Sequence, residues 1–122
     1  MDKPPVILLV EDEVLIRMLA AEILSEAGFT VIESASADEA LTILQARSDV
    51  QLLFTDVNMP GSLDGLALAH IAHEQAPGVS ILIGSGLLRP GPGELPPKAQ
   101  FIAKPYAPSD LTEAVWGLAR AY

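Results

Sequence analysis

The chain has 122 residues, half of them apolar, which specifies one domain with a core of its own. It carries no cysteine and a formal net charge of -9, which excludes disulfides, thiolate metal sites and cysteine nucleophiles and sets the surface against nucleic-acid phosphates. No apolar stretch approaches the roughly 20 residues of a membrane span, and the first residues lack a basic segment followed by an apolar one. The expectation is a soluble, cytoplasmic protein with no membrane or nucleic-acid partner, its acidity suited to a divalent cation or to basic protein surfaces.

In chain order, Val6 to Val10 is a continuous apolar run, as in a strand covered on both faces. Glu11, Asp12 and Glu13 then introduce a helical pattern in which Ile16, Ala20, Ile23 and Ala27 recur, closed by Gly28. Thr30 to Glu33 reads as a half-polar strand at a sheet edge, and Ser36 with Glu39 forms a capping box for a helix through Leu41 and Leu44. Leu52, Leu53 and Phe54 are apolar without alternation, a third strand that ends in Thr55, Asp56, Val57, Asn58, Met59, Pro60 and Gly61. Asp64 and Gly65 open a third helix with Leu66, Leu68 and Ile71, ended near Pro77 and Gly78. Ser80 to Ile83 and Gln100 to Ala103 are the fourth and fifth strands. Pro108 suits the first position of a last helix whose Leu111, Val115 and Leu118 share one face.

Strands alternating with helices of these lengths predict a parallel sheet with right-handed crossovers. The fold class is therefore α/β, a three-layer doubly wound sandwich of the flavodoxin type with five strands in the order 2-1-3-4-5. One stretch departs from the alternation. Leu88 to Pro97, where a helix belongs between the fourth and fifth strands, holds four prolines and two glycines, so that helix is expected to be short or missing. The segment reads as a connector, with a proline-rich ligand as the other reading.

In such a sheet the carboxyl ends of the first and third strands are neighbours, so Glu11, Asp12 and Asp56 share one pocket. Two carboxylates ~5 Å apart repel by ~3 kcal/mol at an effective dielectric of 20, and a hard divalent cation relieves this; all-oxygen ligands with room for water favour magnesium over calcium. Glu13 is accounted for by the helix amino terminus alone. Ser85, between Gly84 and Gly86, and Lys104, before Pro105, fall at the same edge. Three acids, a hydroxyl and an ammonium suit phosphoryl transfer to a carboxylate, with Asp56 attacking in line.

The acidic pair, the segment from Asp56 to Pro60, Asp64 with Gly65, Ser85, and Lys104 with Pro105 stand in an order and spacing that resembles the response-regulator receiver domains of two-component signalling, over essentially the whole chain. The resemblance implies that Asp56 accepts a phosphoryl group from a sensor histidine kinase or histidine phosphotransfer protein. It implies magnesium, or manganese in its place, held by Asp12, Asp56 and the main-chain oxygen of Asn58, with Glu11 acting through water. Ser85 would bond the phosphoryl group, Lys104 would pair with it, Phe101 would be the aromatic that reports the state, and the Lys104–Pro105 peptide would be cis. The receiver is expected to fill residues 1–122 with no effector domain, so output runs through contacts with a downstream protein, and the chain is expected to be a switched signalling protein rather than an enzyme.

The loop before Asp64 is one residue longer than the common form of the family, and the depleted stretch after the fourth strand marks a divergent subgroup in which Phe101 gates order in that segment. Two other classes compete. A phosphorylation-independent interaction module would keep the fold without the chemistry. An aspartyl-nucleophile phosphatase needs a second aspartate two residues after Asp56, where this chain has Asn58. His70 and His73 read as polar surface or a metal pair, and Trp116 and Tyr122 as a partner anchor or a cover for the sheet edge.

Overall fold

The computed structural model describes residues 3–57, 64–86, 91 and 93–120. Five strands, β1 (Val6–Val10), β2 (Thr30–Ser34), β3 (Val50–Asp56), β4 (Ser80–Ser85) and β5 (Gln100–Ala103), form one sheet in the order β2-β1-β3-β4-β5, parallel throughout. Among the described residues four helices, α1 (Val14–Glu26), α2 (Ala37–Ala46), α3 (Gly65–Gln75) and α4 (Pro108–Ala119), cover it. The fold is the flavodoxin-like α/β sandwich that the alternation predicts. Among the described residues none between Ser85 and Gln100 is helical.

Strand alternation sends side chains to both faces, and both are covered. Leu8, Val10, Leu53, Ile81 and Ile83 pack with Ala37 and Ala40 of α2 and with Leu68, Ala69 and Ala72 of α3. Ile7, Leu9, Leu52, Phe54 and Leu82 pack on the other side with Leu24 of α1 and with Leu111, Val115 and Leu118 of α4. That two-sided burial is why β1 and β3 read as unbroken apolar runs.

Local signals set the element ends. Ser36 caps α2 by accepting from the Glu39 amide at 3.1 Å, and Asp64 caps α3 by accepting from the Ala67 amide at 2.8 Å. Gly28 follows α1 with φ +102°, a conformation that side chains disfavour. Pro108 starts α4, and the Ala107 amide is held by Asp110 Oδ2 at 3.1 Å.

Four readings are corrected. β2 runs on to Ser34, and β4 extends to Ser85, so Ser85 is the last strand residue rather than a loop residue past it; the ladder to Ala103 of β5 carries the extension. On α1 the core is met by Ala20 and Leu24, while Ile16 is 36% exposed. Of the periodic face, Ala20, Ile23 and Ala27 do lie on the core; only Ile16 falls outside it, because α1 is apolar over most of its first two turns, with Val14, Leu15, Met18 and Leu19 also exposed. Trp116 is a structural residue. Its Nε1 donates to the Ala27 carbonyl at 2.9 Å and its ring centroid lies 4.6 Å from that of Phe29, so α4 is fastened to the end of α1. Tyr122 lies outside the described residues.

These burials separate two substitutions that the sequence pattern alone would rank together. Leu24→Ala is expected to cost about 2–5 kcal/mol in urea unfolding, as for a fully buried leucine, and Ile16→Ala less than about 1 kcal/mol. Equal losses would contradict this packing of α1.

Candidate functional site

Parallel strands deliver their carboxyl ends to one edge of the sheet. Val10 pairs with Thr55, Asp56 with Gly84, and Ser85 with Ala103, so Glu11, Asp56, Ser85 and Lys104 emerge side by side from four strands. Glu11, Asp12 and Asp56 each offer a carboxylate oxygen, and the three atoms lie within 4.8 Å of one another. Lys104 Nζ sits between two of these acids, 3.1 Å from Glu11 Oε1 and 3.2 Å from Asp56 Oδ2.

Glu11 and Asp56 are fixed through their main chains as well. The Glu11 amide donates to the Ser34 carbonyl at 3.0 Å, its carbonyl accepts from Arg17 Nη1 at 2.9 Å, and its Oε2 accepts from the Glu13 amide at 3.2 Å. The Asp56 carbonyl accepts from Thr55 Oγ1 at 3.1 Å, and the next residue, Val57, bonds Gly84 through its amide and Gly65 through its carbonyl. Gly65 has to be glycine, since a Cβ there would stand 1.6 Å from the Asp56 carbonyl oxygen. A Cβ at Gly84 would stand 3.3 Å from Phe54 Cε1 and 3.5 Å from Lys104 Cε, so the missing side chain on β4 gives the lysine stem its space. The Lys104–Pro105 peptide is cis.

Burial and charge compete here. Burial raises the Glu11 carboxyl above its ordinary value, and the Glu13 amide and Lys104 only partly offset this. Burial alone would lower Lys104, but the charges of Asp56 and Glu11 outweigh it and hold the ammonium above its usual value. Burial also raises the Tyr106 phenol, so that ring, 6.1 Å from Phe54, stays neutral. The Ser85 hydroxyl is fully buried and finds no hydrogen-bond partner among the described residues, which makes it a donor free for a ligand oxygen.

The set fits a hard divalent ion. Three carboxylates against one ammonium leave two negative charges, and ligand oxygens on one magnesium ion lie up to about 4.2 Å apart, close to the spread seen here. Neither a histidine nor a cysteine joins the cluster, which disfavours zinc.

The structure thus brings together Glu11, Asp12, Asp56 and Lys104, with Ser85 on the same edge. Asn58 lies outside the described residues. Phe101 is half-buried on β5, paired with Ile83. His70 bonds the Glu94 carbonyl at 2.6 Å, and neither histidine belongs to an acidic or metal-like cluster among the described residues. Sequence reasoning assigned no role to Thr55, Tyr106 or Arg17: the partners of Tyr106 and Arg17 lie on other elements, and the Thr55 bond to the neighbouring carbonyl leaves no mark in spacing.

The chain belongs to the response regulator receiver domain family, whose model matches residues 7–89. It is 33% identical over 122 residues to the C4-dicarboxylate transport transcriptional regulatory protein DctD of Rhizobium meliloti (strain 1021), covering 93% of this chain and 25% of that one. The response regulator receiver protein of Sinorhizobium medicae WSM419 superposes with a TM-score of 0.90 at 27% identity, covering 98% of this chain and 97% of that one. The receiver domain of NtrX from Brucella abortus gives 0.82 at 31% identity, covering 95% and 99%. The family brings two-component signalling with it as the setting of this fold and edge.

The raised Glu11 value has a signed consequence for stability. Because the folded value lies above the ordinary 4.5, the folded state holds the Glu11 proton more tightly. The contribution is present below pH 4.5 and is lost as pH rises through the folded value. Metal-free Glu11→Gln is therefore expected to be more stable than wild type at pH 7 and to lose that advantage by pH 4, as read by thermal unfolding at both pH values. A variant less stable than wild type at pH 7 would contradict it.

Proposed function

We propose that Asp56 is the phosphoacceptor of a phosphorylation switch, in a step that depends on magnesium, or manganese in its place. The observation that carries this reading is the ion-paired group itself, with Lys104 within 3.2 Å of both Glu11 and Asp56 on a receiver fold. An Asp56 carboxylate oxygen forms the new O–P bond while the donor's N–P bond breaks, its electron pair returning to the histidine nitrogen. Asp12 and Asp56 would hold the cation, with Glu11 assisting through water, and the cation would supply positive charge to the phosphoryl oxygens. Lys104 exchanges its Asp56 contact for a phosphoryl oxygen, and the unpartnered Ser85 hydroxyl donates to another.

The donor is a sensor histidine kinase or histidine phosphotransfer protein. An apolar groove of about 710 Å³ beside Lys104, lined by Ile16, Leu19, Ile23, Pro105, Tyr106 and Pro108, supports this, because a protein that reaches Asp56 has to sit against it. Leu15 and Leu19 of α1, 76% and 62% exposed, extend the same apolar surface. Output passes through protein contacts: movement of Ser85 and Lys104 draws in the ends of β4 and β5 and repacks Phe101. The protein is a switched signalling component of the cytoplasm and turns over no substrate beyond its own phosphoryl group.

The test weighs intact protein after incubation with magnesium and a small acyl phosphate. Wild type is expected to gain one phosphoryl group and Asp56→Asn none, and Lys104→Ala is expected to take phosphate without the wild-type change in amide spectrum. An unmodified wild type would favour a phosphorylation-independent interaction module.

A further inference from the structure

Arg17 stands one and a half turns of chain beyond the acidic pair and is not a ligand, yet it is built into the site from behind. Its side chain is 18% exposed. Nη1 donates to the Glu11 carbonyl at 2.9 Å, and Nε donates to Glu33 Oε1 on β2 at 3.3 Å. The residue after Glu33 is Ser34, whose carbonyl takes the Glu11 amide. Two consecutive residues at the end of β2 therefore hold Glu11 at both ends of its main chain, directly at the amide and through Arg17 at the carbonyl.

The turn needs such a clamp. Glu13, the N-cap of α1, makes no side-chain capping bond, and the first turn of α1 has no acidic residue. Three carboxylates within 4.8 Å push Glu11 and Asp12 away from Asp56. Lys104 and the Glu13 amide hold the Glu11 carboxylate itself, and the guanidinium holds the main chain that carries it.

We propose that Arg17 is a positioning residue of the cation site: by clamping the Glu11 carbonyl to β2 it sets where the Glu11 and Asp12 carboxylates stand, and so sets the affinity for magnesium. The inference rests on the reading that Glu11, Asp12 and Asp56 take a divalent cation. Geometry and simple electrostatics give opposite signs. A positive charge beside a cation site weakens binding, so its removal alone would tighten it, whereas loss of the clamp lets the acids spread and weakens it. Partners that orient metal ligands are worth about 10- to 100-fold in affinity.

Calorimetric titration of the unphosphorylated protein with magnesium chloride decides between them. Arg17→Ala is expected to bind magnesium about tenfold more weakly than wild type. Arg17→Lys keeps the charge but lacks the planar fork that reaches Glu11 and Glu33 together, and is expected to lose at least about threefold. In parallel, acyl phosphate labelling of Arg17→Ala is expected to need more magnesium for half its maximal rate while the rate at saturating magnesium stays within about twofold of wild type. Tighter binding by Arg17→Ala with Arg17→Lys at the wild-type value would overturn the proposal in favour of a bystander charge. So would unchanged affinities, or a labelling rate that stays low at saturating magnesium. If Arg17→Ala does not fold, the titration of Arg17→Lys alone supports or overturns it. A wild-type protein that takes up no magnesium would refute the cation reading first and this inference with it, and the wild-type trace identifies that case.

Discussion

The ammonium of Lys104 is the interaction on which the arrangement depends. It comes from the end of β5, crosses the glycine position of β4, and meets one acid from beyond β1 and another from the end of β3. Without it, three carboxylates would face one another at a partly buried edge, and the cost of desolvating them would have no local return. With it, the edge retains two uncompensated negative charges. That residue of charge makes the site receptive to a divalent cation and, through it, to an anionic phosphoryl group that Asp56 alone would repel.

Everything else in the fold serves to hold four strand ends in register. Helices on both faces bury β1, β3 and β4 so that their ends cannot shift independently, and the close contacts around Asp56 leave no freedom in its main chain: Gly65 lies too near its carbonyl for any side chain, and Thr55 bonds the same oxygen. The charged groups can be mobile in their tips because their backbones are not. Between β4 and β5, Glu94 bonds Gly91 and its carbonyl meets His70 of α3, so the described part of this segment is held by a turn and one helix contact.

The strand order and the meeting of Asp12 with Asp56 were legible in the sequence because each rests on a local pattern: unbroken apolar runs, capping residues at fixed offsets, and acids immediately after strands. What was not legible depended on tertiary choice. α1 is apolar over so much of its circumference that periodicity could not say whether Ile16 or Leu24 faces the sheet, and the structure chooses Leu24. Ser85 was placed just past its strand because the apolar run stops at Ile83, yet the ladder to β5 runs through it. The partners of Arg17 and Trp116, Glu33 and the Ala27 carbonyl, are set by packing between elements and leave no mark in spacing.

The proposed switch requires one ion shared by acids from two strands beside one lysine. Paramagnetic broadening of amide resonances by substoichiometric manganese measures this directly. Asp12, Asp56, Ser85 and Lys104 are expected to broaden together along a single binding curve, while Val6, Val50 and Gln100 at the opposite strand ends stay sharp. Separate curves for Asp12 and Asp56, or broadening scattered over exposed acids such as Asp38 and Asp49, would contradict it.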